Sequence, residues 1–276
     1  MGEPKTVVLT GASSGIGAAA ARALVAAGHE VILVGRAPER TTALADELGM
    51  RCMLADFEEA LSVRDLAARL LEEVPRIDVL ALNAGALYAE RRRTIDGHER
   101  TWQVNLLSPT LLGRMLLPRL RESHGRVVVT SSAVHRTARL VAGDLEGDRS
   151  GYSMLRSYGA AKLAGLLVID EMVRGGRYAE IGFASFHPGY VPSAIWRDSP
   201  MLQRLLASQV TRSFWTPPEQ AALPLLYLAT EAPAEELDGG YWHGLKPRRI
   251  RHPQWDDVQL RASLREAVMG FDTAIV

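Results

Sequence analysis

The sequence predicts an α/β protein built on an open, doubly wound parallel sheet with helices on both faces. Three observations point there. Short β-branched runs alternate with longer stretches at helical spacing, the runs are nearly continuous Val, Leu and Ile, and a glycine-rich turn joins the first run to an alanine-rich helix. A strand covered on one face only carries polar residues at every second position, so unbroken apolar runs mean that both faces are covered. Strand, helix, strand at this rhythm also implies right-handed crossovers.

Taken in order, "KTVVLT" (5–10) reads as the first strand, followed by a helix over 15–27. "EVILVG" (30–35) and "RCMLA" (51–55) read as the next two strands, with helices at 39–48 and 60–73. "IDVLALNAG" (77–85), a helix over 99–122, "GRVVVTSS" (125–132), a helix over 157–174 and "IGFASFHPG" (181–189) continue the pattern. The rhythm breaks at 190–216, where two prolines and an apolar stripe at Met201, Leu202, Leu205, Leu206 and Val210 follow a strand's carboxyl end, a place that suits a helical substrate lid. Residues 244–276 are charged and proline-interrupted and read as a peripheral tail ending in a short helix. With no repeat, linker or low-complexity tract, residues 1–276 are expected to form a single domain with a lid at about 190–216 and a tail at about 244–276.

Composition narrows the partners. Lys plus Arg and Asp plus Glu each total 32, which removes any bulk electrostatic case for nucleic acid or an anionic membrane and leaves a small molecule as the expected partner. The single cysteine, Cys52, has no internal disulfide partner and is expected to be an inert strand thiol. No apolar run approaches the roughly 18–20 residues that cross a bilayer, and the start leads directly into a strand, so a cytoplasmic protein without stable membrane insertion is expected. The histidines form neither a paired spacing nor a Cys/His cluster, and no metal is expected.

The turn "TGASSGIG" carries Gly11, Gly15 and Gly17, with Ser13, Ser14 and Ile16 between them. Glycines there allow a tight turn, close approach of a phosphate, and packing of the helix on the strand. The helix N-terminus then offers N–H groups and a positive dipole end to a pyrophosphate. Dinucleotide folds that take an unphosphorylated ribose usually place an acid at the end of the second strand. Here that strand ends "ILVGR", and Arg36 suits a 2′-phosphate, which favours NADP(H) over NAD(H). A solvated loop arginine is the other reading of Arg36. The run Arg91 to Arg93 reads as hydrated surface.

Polar features gather at the carboxyl ends of the predicted strands, where an open parallel sheet binds its ligands. They are Asn83 in "LNAG", Asn105 in "WQVNLL", Ser131 and Ser132 in "VVVTSS", and the pair Tyr158 and Lys162, which a helical spacing of four places one above the other. A free phenol titrates near ~10, and an ammonium one turn away favours its ionised form. Individually, Ser132 also reads as a strand-end cap, Asn105 as a helix residue bonded to backbone, and Tyr158 as core filling.

Together, "TGASSGIG", "NAG", the serine pair, "YGAAK" and "HPG" resemble the short-chain dehydrogenase/reductase family over roughly residues 5–245, and "TIDGHE", "SSAVHR" and "SYGAAKLAGLL" are most similar to its branch of retinol dehydrogenases and protochlorophyllide reductases. The resemblance implies a Rossmann-type sheet of about seven strands in the order 3-2-1-4-5-6-7, and hydride transfer between nicotinamide C4 and a carbonyl or alcohol carbon of a mostly apolar substrate. It assigns Tyr158 as general acid/base, Lys162 as its modulator and a ribose ligand, Ser132 as the carbonyl-binding hydroxyl and Asn105 as a proton-relay member. Ser132 is chosen over Ser131 from its place relative to Tyr158. The implied cofactor contacts are Gly11, Ser13, Ser14, Gly15, Ile16, Gly17, Arg36, Asp56, Phe57, Asn83, Ala84, Gly85, Tyr158, Lys162, Pro188, Gly189, Val191 and Ser193, with Asp56 also readable as a helix cap. Ser193 stands where the family commonly has threonine, and "NLLSPT" replaces its usual "NHLGHF". Trp196, Phe214 and Trp215 are expected to help line the substrate pocket. The same donors could serve C=C reduction, or redox-neutral cyclisation or isomerisation, and a non-enzymatic NADP(H) sensor is a third reading. A homodimer or homotetramer through the long helices at 99–122 and 157–174, or a monomer, fits the family.

Overall fold

The alternation within the first strand shows how this chain builds its layers. Val7 and Leu9 pack into the core on one side of the sheet and Val8 into the core on the other, and all three are fully buried. The computed structural model describes residues 3–149, 151–191 and 215–273. In chain order its elements are β1 (Thr6–Thr10), α1 (Gly15–Ala26), β2 (Glu30–Gly35), α2 (Pro38–Leu48), β3 (Cys52–Leu54), α3 (Ala60–Glu73), β4 (Val79–Leu82), α4 (Ser108–Glu122), β5 (Arg126–Thr130), α5 (Met154–Arg174), β6 (Gly182–His187), α6 (Pro218–Leu226), β7 (Asp238–His243), β8 (Lys246–Arg248) and α7 (Val258–Thr273).

The strands form one sheet in the order β3-β2-β1-β4-β5-β6-β7-β8. All neighbours from β3 to β7 run parallel, and β8 adds an antiparallel edge to β7. The expected seven-strand order is therefore present with one further strand. Residues of α3, α4, α5 and α7 pack on one face and residues of α1, α2 and α6 on the other. The order reverses between β1 and β4, which opens a crevice at their carboxyl ends.

Two departures from the sequence reading bear on the site. The helix expected over 99–122 is broken by a π-helical turn at Gln103–Leu107, preceded by a short turn Arg100–Trp102 whose N–H groups are capped by the Glu99 carboxylate at 2.9–3.0 Å. Within 244–276, β8 extends the sheet and α7 packs inward. Leu260, Leu264, Val268 and Phe271 form an apolar stripe that buries against α4 and α5. Arg261 fixes that helix by pairing with Asp170 at 2.5 Å and Glu171 at 3.3 Å, and Arg265 pairs with Glu171. The lid stripe, Trp196 and Phe214 lie outside the described residues.

Candidate active site

The site begins with a brace between the central strands. The Thr10 hydroxyl donates to the Ala81 carbonyl at 3.2 Å and accepts from the Asn83 and Ala84 N–H groups, both at 3.0 Å. The Asn83 amide donates to the Thr10 carbonyl at 3.1 Å and accepts from the Thr130 hydroxyl at 3.1 Å. Asn83 thus lines the crevice while its side chain ties β1, β4 and β5 together. Thr10, which the sequence reading passed over, is the other half of that brace.

Above it, the glycine turn leaves no room for side chains. A Cβ on Gly11, whose φ is +66°, would sit 2.9 Å from the Ala84 Cα, and one on Gly17 would sit 2.8 Å from the Gly11 carbonyl carbon. Helix α1 starts at Gly15 with no acidic residue in its first turn and no side-chain bond from its N-cap Ser14. Its leading N–H groups therefore face the cavity side of the turn as a cradle for a phosphate.

That cavity, about 490 Å³, runs from the glycine turn across the carboxyl ends of the strands. Gly11, Ser13, Ser14, Gly15, Ile16, Gly17, Arg36, Asp56, Phe57, Asn83, Ala84, Gly85, Ser132, Tyr158, Lys162, Pro188, Gly189 and Val191 all line it, as does Trp215. Ser193 lies outside the described residues. Asn105 is buried in the π-helical turn and is not part of the cavity wall. Its amide donates to the Ala86 and Thr101 carbonyls at 2.8 and 2.9 Å and accepts from the Ala86 N–H at 3.2 Å, so its side chain holds the 84–86 loop. The place for a dinucleotide thus fits the residues present: a side-chain-free phosphate cradle at one end, and buried, unpaired donor capacity at the other in the Ser131 hydroxyl, which lines the cavity without a partner.

At that second end Tyr158 and Lys162 lie one turn apart on α5 and are both buried. The Ser132 hydroxyl lines the same cavity as the Tyr158 phenol and accepts weakly from the Val134 N–H at 3.5 Å. Lys162 donates to the Thr130 carbonyl at 3.0 Å, with its ammonium 5.3 Å from the Tyr158 ring centroid. Burial pushes the Lys162 ammonium down to about 8. Burial also pushes the Tyr158 phenol well above its ordinary value, with the nearby Ser132 hydroxyl opposing it. Burial thus disfavours the charged form of both groups. The lysine is itself desolvated and its charge is directed at a backbone carbonyl.

Two histidines hold the Ser132 segment. His135 Nδ1 donates to the Ser132 carbonyl at 2.6 Å, and the Ala133 N–H donates to His187 Nδ1 at 3.3 Å. Burial, with His243 and Arg136 nearby, pushes His187 down to about 4, so it stays neutral and able to accept.

At the Arg36 end of the cavity stand two further charged residues that the sequence reading did not name, Arg40 and Glu58. Arg40 lines the cavity from the first turn of α2, four residues beyond Arg36, a spacing that was available in the sequence. Glu58 pairs with Arg36 at 2.7 Å, a contact between β2 and the loop after β3 that no local pattern announces. The Arg91 to Arg93 run ties the 88–97 loop to acids: Arg91 and Arg93 pair with Asp148, and Arg92 with Glu90.

Comparison with known proteins agrees with this arrangement. The sequence model of the family described as short chain dehydrogenase matches residues 5–201. A provisionally named daunorubicin C-13 ketoreductase of Streptomyces sp. (strain C5) is 40% identical over 95% of this chain and 91% of its own length. Retinol dehydrogenase 14 of Mus musculus is 31% identical over 96% of this chain and 86% of its own. Among solved structures, an uncharacterized protein of Mycobacterium paratuberculosis superimposes with a TM-score of 0.76 at 28% identity, covering 98% of this chain and 93% of that one. The chain belongs to the short-chain dehydrogenase/reductase family of oxidoreductases, in its retinol dehydrogenase-like branch.

Proposed function

We propose that this protein is an NADP(H)-dependent reductase of bulky, mostly apolar ketones or aldehydes, with Tyr158 as general acid. One observation carries the reading: the Tyr158 and Ser132 hydroxyls and the Lys162 ammonium converge on the wall of the same cavity that begins at the glycine turn. The bound dinucleotide supplies a hydride at its nicotinamide C4.

The chain's own groups handle the oxygen. Tyr158 and Ser132 both line the cavity, and a substrate carbonyl oxygen placed between them meets two donors aimed at the atom where negative charge grows. The phenol's raised pKa keeps it protonated at neutral pH, the form that donates, which suits reduction. Oxidation of an alcohol needs the phenolate, and Lys162 stabilises that form only while it is itself charged. Asn105 supports the reaction by fixing the 84–86 loop beside Lys162. A Cβ built on Gly85 would be 2.8 Å from Asn105 Oδ1 and 3.5 Å from Lys162 Nζ, so the loop passes closely over both.

Arg36 and Arg40 at the adenosine end support NADP(H). Leu87, Val104, Val134, Leu155, Tyr190 and Trp215 make the remaining wall mostly apolar. No helix among the described residues is long and apolar enough to cross a membrane, and the reading places the enzyme in the cytoplasm with a small-molecule substrate. The test is NADPH oxidation with a panel of bulky polycyclic ketones, among them an anthracycline C-13 ketone, alongside retinal and simple aldehydes. Turnover in the wild type and none in Tyr158→Phe is the expected result. Substrate conversion without net NADPH consumption would replace the reading with redox-neutral chemistry.

A further inference from the structure

We propose that Glu58 is a specificity-determining residue that weakens this chain's preference for the 2′-phosphorylated dinucleotide. The inference rests on the reading that Arg36 meets the adenosine ribose. The sequence places an arginine at the end of β2 where a carboxylate would select the free 2′-hydroxyl. The fold then returns a carboxylate to the same spot from the next strand.

Glu58 Oε1 accepts from Arg36 Nη1 at 2.7 Å, and Asp56 Oδ1 stands 3.8 Å from the same nitrogen. Glu58 is held in place by more than this pair. Its Oε1 also accepts from the Tyr88 hydroxyl at 2.8 Å, and its Oε2 is 3.8 Å from Arg100 Nη1. The Arg100 guanidinium in turn lies 3.5 Å over the Tyr88 ring centroid. The Glu58 N–H donates to Asp56 Oδ1 at 2.9 Å, and the side chain is only 24% exposed. Burial and the adjacent Glu58 carboxylate push the Tyr88 phenol up, so it remains a donor to that carboxylate at neutral pH. Arg36, Arg40, Asp56 and Tyr88 all line the cavity at this end.

A 2′-phosphate brings close to two negative charges at neutral pH. It must either take Arg36 from Glu58 or share it, and in both arrangements a fixed carboxylate stands within one guanidinium of the phosphate. A 2′-hydroxyl carries no charge and meets no such repulsion. Glu58 therefore disfavours NADP(H) and leaves NAD(H) nearly untouched, so the two bind more evenly than Arg36 and Arg40 alone would allow.

The test is the dissociation constant of NADP⁺ and of NAD⁺, by titration calorimetry, for the wild type, Glu58→Gln, Glu58→Ala and Arg36→Ala. Glutamine keeps an acceptor for Arg36 and Tyr88 and removes only the charge. Both Glu58 variants are expected to tighten NADP⁺ by about tenfold and to leave NAD⁺ within about twofold. An unchanged NADP⁺ to NAD⁺ ratio, or one shifted toward NAD⁺, in Glu58→Gln and Glu58→Ala overturns the proposal. Arg36→Ala separates the two ideas. If it weakens NADP⁺ while the Glu58 variants change nothing, only the role of Glu58 falls; if it leaves NADP⁺ binding intact, the arginine reading falls and takes the proposal with it.

Discussion

Replacing Lys162 with methionine should make the protein more stable near neutral pH and inactive. The Lys162 ammonium is buried, and burial lowers it from 10.5 to about 8. A fall of that size corresponds to about 3 kcal/mol of cost in keeping the lysine charged inside the fold. Methionine matches the stem without the charge and leaves the Thr130 carbonyl without its 3.0 Å donor, a loss of about 1 kcal/mol. The net gain at pH 7 is then about 2 kcal/mol, or a rise in Tm of about 4–8 °C for a chain of this size. The sign follows from proton counts. Between about 8 and 10.5 the unfolded chain binds the lysine proton and the folded one does not, so wild-type stability rises with pH across that window. Denaturant unfolding of both proteins from pH 7 to 10.5 should therefore show the advantage of Lys162→Met shrinking as the pH rises. A difference that stays constant with pH would refute the claim that Lys162 is held charged at a cost in stability.

Further outcomes follow from other groups. His187, with a folded value of about 4 against an ordinary 6.5, should cost the wild type about 2–3 kcal/mol as pH falls from 6.5 to 4. His187→Asn should remove most of that acid-side slope in denaturant titrations at stepped pH. Gly17→Ala would drive a Cβ against the Gly11 carbonyl and to 2.9 Å from Asn83 Nδ2. It should destabilise the fold by about 1–3 kcal/mol and abolish saturable NADP(H) binding, read by calorimetry and thermal melts. Because α7 covers α4 and α5, the face expected to support a dimer or tetramer, the protein should run as a monomer in light scattering. Cutting the chain before α7 should expose the partners of Leu260 and Leu264 and produce dimers or aggregates.

Most of the sheet was legible because both signals involved are local. Unbroken apolar runs mark strands covered on two faces, and the glycine turn between strand and helix marks the crevice. What was not legible depends on contacts far apart in the chain. Helix α7 looked peripheral because its charges dominate the composition, yet its stripe of four buried apolar residues decides where it sits. The amides of Asn83 and Asn105 are engaged by Thr10, Thr130, Ala86 and Thr101, and the contacts with Thr10, Thr130 and Ala86 form only once the chain has folded. The Tyr158 and Lys162 pair was singled out by helical spacing, and its roles came from the family resemblance. Its energetics were not legible, because spacing does not report burial, and burial disfavours the charged form of both groups. Glu58 was invisible for the same reason that it matters: it meets Arg36 only after β2 and β3 pair in register.

The central claim is that the phenol of Tyr158 delivers the proton that accompanies hydride transfer. Single-turnover reduction of a ketone that the wild type accepts, followed by NADPH absorbance, tests it directly in Tyr158→Phe with the NADPH dissociation constant measured in parallel. A fall in rate of about 10²–10⁴ with NADPH affinity unchanged within about twofold is the predicted result. Reduction at the wild-type rate by a variant that lacks this hydroxyl would contradict it.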